Sequence, residues 1–71
     1  MATNRTLVAP DPLLTGREAA PLLGMSYQSF LRHVRDGRVP KPLKMGALSR
    51  WPSSEILAVI EAAKAARDAR K

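Results

Sequence analysis

Gln28, Arg32 and Arg35 are the residues of this chain whose types and spacing point most directly to a chemistry. At 100° per residue they fall on one side of a helix, together with Ser29 and Asp36. A glutamine amide in that position pairs bidentately with an adenine edge, and an arginine guanidinium with guanine O6 and N7. Ser26 is an N-cap candidate for the same helix. With Ser29 it sets hydroxyls at a helix N-terminus, where a phosphate is favoured. Arg35, Arg17 and Tyr27 suit phosphate better than base edges, because phosphates take half or more of the hydrogen bonds between protein and DNA. Further along, Lys41, Lys44 and Arg50 surround a glycine turn at Gly46.

Charge agrees with that reading. The net charge is +6, and residues 13–51 hold seven basic groups against two acidic ones. A field of that sign attracts polyanions when the fold gathers it on one face. Catalysis is the poorest fit. Glu18, Asp36 and Glu55 fall on separate elements, no serine has a base and acid to go with it, and no glycine-rich phosphate loop is present. Cysteine is absent, which excludes a thiol nucleophile, a disulfide framework and a thiolate metal site. The one histidine, His33, cannot build a histidine-rich metal site and reads as an edge residue of its helix. No metal and no cofactor are expected. Tyr27, Phe30 and Trp51 sit in different segments and read as core, not as a stacking platform for single strands.

The remaining residues must position these groups. Seventy-one residues make one small domain, which buries only about 60% of the surface its unfolded chain exposes. No apolar run reaches the roughly 18 residues of a membrane span, and the first ten residues lack the apolar stretch of a secretory signal. A protein of the cytoplasm with no membrane partner is expected. Residues 1–12, with Pro10 and Pro12, read as a flexible leader. Thr15-Gly16-Arg17-Glu18 fits a capping box that opens a short helix, with Pro21 inside it and Gly24 as its stop. Ala19 or Ala20, Leu22 and Leu23 supply its buried side. A second helix follows Ser26 and ends at Gly37, with Tyr27, Phe30, Leu31 and Val34 on its apolar side. Two helices joined by so tight a glycine turn form a helix-turn-helix.

Pro40 and Pro42 forbid a third helix directly afterwards. Gly46-Ala47 has the form of a type II′ hairpin turn. That turn sets Leu43 opposite Arg50, Lys44 opposite Ser49 and Met45 opposite Leu48. Trp51 is the expected anchor of this ribbon. Pro52 suits the first turn of a closing helix, on which Ile56, Val59, Ile60 and Ala63 share one face. Residues 62–71 read as an alanine-rich basic extension of that helix.

Helix, tight turn, polar-faced helix, basic hairpin and closing helix together resemble a winged helix-turn-helix, mainly α with a small β-hairpin, over residues 13–61. Leu14-Thr15-Gly16-Arg17-Glu18-Ala19-Ala20 resembles the opening helix of excisionase-like and MerR-like DNA-binding domains. Residues 25–42, from Met25-Ser26-Tyr27-Gln28 to Pro40-Lys41-Pro42, are similar to the recognition helix and wing approach of AlpA-like regulators and phage excisionases. Lys44-Met45-Gly46 and Arg50-Trp51 look like that family's wing and the aromatic that opens its last helix. The resemblance implies an architectural protein of double-stranded DNA in a bacterial cell, associated with the nucleoid. Excisionases load cooperatively on attachment-site DNA, bend it and steer a tyrosine integrase toward excision, whereas AlpA-like relatives regulate transcription. The domain alone does not separate these two roles. A basic adaptor for an acidic protein is the alternative from another class.

Overall fold

The computed structural model describes residues 11–70. The expected leader therefore lies, for residues 1–10, outside the described residues. Element order is β1 (Leu13–Leu14), α1 (Gly16–Leu22), α2 (Tyr27–Arg35), β2 (Leu43–Met45), β3 (Leu48–Pro52) and α3 (Ser53–Ala69). The described residues thus form three helices and a three-stranded antiparallel sheet in the order β1-β3-β2. The β2–β3 register is the one the turn dictates, with Leu43, Lys44 and Met45 facing Arg50, Ser49 and Leu48. β1 is an addition to the expected hairpin. Leu13 pairs with Pro52 and Leu14 with Trp51, so β3 is the central strand.

Local signals act where the sequence carries them. Thr15 Oγ1 accepts from the Glu18 amide at 3.1 Å, and the Glu18 carboxylate accepts from the Thr15 amide at 2.9 Å, a complete capping box. Pro21 lies inside α1, one residue before its end, and offers no amide to the Arg17 carbonyl four residues earlier. Gly24 then takes φ +72°, a conformation that costs a residue with a Cβ. The Met25 amide reaches the Ala20 carbonyl and the Gly24 amide the Pro21 carbonyl, the Schellman pattern. The same pattern closes α2, where the Arg38 amide bonds His33 O and the Gly37 amide bonds Val34 O. This closure turns Val39 inward, where it is fully buried.

The core is Ala19, Ala20, Phe30, Val39, Trp51 and Ile56. Trp51 anchors the sheet as expected. Its ring meets Phe30 edge-on at 4.9 Å, and its Nε1 donates to the Pro40 carbonyl at 2.8 Å. Two expected core residues are corrected. Leu22 is exposed because α1 stops before the chain can fold over it, and Leu31 is exposed because it stands at the margin of the apolar stripe of α2. Val59 and Ile60 are half-buried, and Ala63 lies beyond the domain that would cover it. From residue 61 onward α3 is exposed on every side.

Pro52 occupies the N-cap of α3 rather than its first turn and has no side chain to cap with. Asp11 supplies the cap from a distant point of the chain. Its carboxylate accepts from the Ser54 amide at 2.9 Å, from Ser54 Oγ at 2.6 Å and from Ser53 Oγ at 3.2 Å. The Ser53 amide donates to the Pro12 carbonyl at 2.8 Å. Asp11 and Pro12 thus belong to the folded unit and not to the leader. The Ser54 hydroxyl, then its amide, hold the Asp11 carboxyl below its ordinary value of 3.8. A carboxylate with a lowered folded-state value contributes stability that is present above that ordinary value and is lost as the pH falls through the folded one. Asp11→Ala is expected to lower the melting temperature at pH 7. The gap to the parent chain should close on acidification below about pH 4. Melts from pH 7 to pH 2.5 check this, and a gap that stays constant with pH contradicts it.

Candidate nucleic-acid interface

The second helix and the hairpin meet around a cleft of about 340 Å³. Tyr27, Leu31 and Val34 of α2 form one wall, and Pro42, Ser49, Arg50 and Trp51 the other. Arg17 closes the end. Its guanidinium lies 4.2 Å from the centre of the Tyr27 ring, a cation–π contact that fixes a charge beside the start of α2. Gly16 makes this junction possible. A Cβ there would stand 2.8 Å from Tyr27 Cε1 and 3.3 Å from Trp51 Cζ3, so only glycine lets α1, α2 and β3 approach so closely.

The polar side of α2 starts at the lip of this cleft. Arg35 lies about 40° and Gln28 about 60° around the helix from Leu31, with Arg32 about 100° away. All three are exposed. Ser26 caps the helix by accepting from the Ser29 amide at 3.1 Å. Ser29 Oγ accepts from Arg32 Nη2 at 3.1 Å. Both hydroxyls have spent an acceptor position and still have a proton to donate to an anion. Arg35 Nε is 3.6 Å from the Asp36 carboxylate. Pairs this exposed are worth little, so a stronger anion displaces Asp36 at small cost.

On the hairpin, alternation places Lys44 and Ser49 on the face shared with Trp51, and Leu43, Met45, Leu48 and Arg50 on the opposite one. Lys44 therefore stands on the side turned to the helices, its Nζ donating to Ser49 Oγ at 3.0 Å. Arg50 borders the cleft, and its Nη1 donates to the Ser49 carbonyl at 2.9 Å. Gly46 forms the tip with φ +63°, the sign that the first position of a type II′ turn requires. Lys41 is exposed at the base.

Arg17, Tyr27 and Arg50 thus line one cleft, and Gln28 and Arg35 come next round the helix from its Leu31. Ser26, Ser29 and Arg32 stand farther round the helix, and Lys41, Lys44 and Gly46 extend along the ribbon. His33 lies on the far edge of α2. Its Nδ1 is 2.8 Å from the Ser29 carbonyl, so that nitrogen carries the proton and donates. Two residues of the site escape a reading by periodicity. Leu31 is 42% exposed, and its signal is a wheel position about 100° from Phe30. Gly16 is buried at the junction, and nothing in its capping-box setting announces the approach of Tyr27.

Among the described residues no group of three or more His, Cys, Asp or Glu side chains could hold a metal ion, and no helix is long and apolar enough to cross a membrane. Comparison with family models, with curated proteins and with solved structures finds no match to this chain.

Proposed function

We propose that this chain is a sequence-specific double-stranded DNA-binding protein of the winged helix-turn-helix type. α2 enters the major groove, which is about 12 Å wide and admits a helix. The β2–β3 ribbon lies along the adjoining backbone or minor groove as the wing. The observation that carries the reading is the shared cleft. It sets Arg17 and Arg50 beside Leu31 of α2, whose neighbours on the helix surface are Gln28 and Arg35, and this supports a reading in which helix and hairpin meet one duplex. The residue pattern from Leu14 to Trp51 favours the architectural role of a phage excisionase, which bends attachment-site DNA and directs a tyrosine integrase. One such module buries roughly 600–1,000 Å² on DNA, so occupancy depends on neighbouring copies or on that integrase.

A mobility-shift titration with specific and non-specific duplexes tests the proposal. With five or six phosphate contacts, log K falls against log salt with a slope of about −5. Failure to shift any duplex, with capture of an acidic protein instead, supports the adaptor. Footprints beside the chain's own gene, combined with bending of the bound fragment, support excision. Binding there without bending favours the transcriptional regulator.

Lys44→Ala is expected to weaken binding to all sequences alike and to reduce the magnitude of the salt slope by about 1, because a phosphate contact carries no base information. Titrations on cognate and scrambled duplexes check it. A loss confined to the cognate site contradicts it.

A further inference from the structure

Leu31, like Leu22, is an apolar side chain that the helical pattern assigns to the interior and the structure leaves on the surface. An exposed leucine by itself is ordinary. This one stands at the lip of the cleft between α2 and the hairpin. It has Gln28 three residues before it and Arg35 four residues after it, so all three share a face. Both neighbours are exposed and end in hydrogen-bonding groups. The face thus offers one apolar surface set among polar ones, in the part of the helix nearest the hairpin.

The major groove presents one recurring apolar group, the C5-methyl of a pyrimidine. We infer that Leu31 reads such a methyl group. The inference rests on the placement of α2 in the major groove proposed above and adds to it a determinant of specificity. Gln28 and Leu31 stand one turn apart, about 5–6 Å between Cβ atoms. That is within two steps of DNA at about 3.4 Å per base pair. Gln28 on adenine N6 and N7 and Leu31 on a methyl group of the same or the next pair form one continuous contact. Thymine carries this methyl group, and so does 5-methylcytosine, so the chemistry recognised is the C5-methyl itself.

The test uses the full chain. A tight duplex is first selected from a randomised pool. Each thymine is then replaced singly by deoxyuridine, and each cytosine by 5-methylcytosine. Burial of one methyl group is worth about a fourfold change in affinity. A loss of about fourfold at one thymine names thymine as the source, and a comparable gain at one cytosine names 5-methylcytosine. Either effect must vanish in Leu31→Ala, a variant that leaves the buried core untouched. No methyl dependence at any position, or a dependence that Leu31→Ala retains, overturns the inference while leaving DNA binding intact. Selection of no duplex at all overturns the placement of α2 on which it rests, and the inference with it.

Discussion

Trp51→Ala abolishes cooperative folding near physiological temperature. The indole is 4% exposed and does three things at once. It packs edge-on against Phe30 of α2, donates from Nε1 to the Pro40 carbonyl, and covers Gly16 of α1 with its ring. Truncating a buried tryptophan to alanine costs about 3–5 kcal/mol. A domain of this length has only about 4–11 kcal/mol in total. Far-ultraviolet circular dichroism against temperature and urea is the right measurement, because the chain has a single tryptophan and the variant loses its fluorescence. Trp51→Phe keeps most of the packing and gives up the bond to Pro40, so it should fall between the two. A sharp transition at an unchanged midpoint in the alanine variant would show that the core does not depend on this ring.

Arg32→Ala has the largest expected effect on binding. The guanidinium is exposed, and its one hydrogen bond among the described residues is to Ser29 Oγ, so the fold should lose no more than about 0.5 kcal/mol. On a cognate duplex the expected loss is about 1–3 kcal/mol, or 5- to 150-fold, with relaxed preference at one base pair. Competition against a panel of single-base variants distinguishes base reading from phosphate contact. Equal loss on every member of the panel would move Arg32 to the backbone. No loss at all would remove this face of α2 from the groove.

Much of this architecture is legible in the residues because its signals are short-range. The capping box at Thr15, the N-cap at Ser26 and the glycines after each helix act within six residues. The hairpin register follows from the two residues of its turn. What stays hidden depends on distance along the chain. β1 is two residues that pair with Pro52 and Trp51, about forty residues away, so no local pattern marks it as a strand. The Asp11 cap spans about forty residues. Val39 lies in a stretch between Gly37 and Pro40 where neither period applies, and its burial comes from the closure of α2 around His33 O. Periodicity locates the centre of a buried stripe but not its width. That is why Phe30 is placed correctly and Leu31 and Leu22 are not. The charges of the site are legible one by one. Their assembly is not, because it needs the contact of Arg17 with Tyr27 and the bare Cα of Gly16.

The junction at Gly16 has a consequence for how such a molecule changes over time. Gln28, Leu31, Arg32 and Arg35 have no duties in the interior, so substitutions among them cost the fold almost nothing. The gap between helix and ribbon is different, since it is set by three aromatic rings crowded onto one glycine. The exposed face of α2 is free to drift, while the close approach at Gly16 ties the spacing of helix and ribbon to one residue.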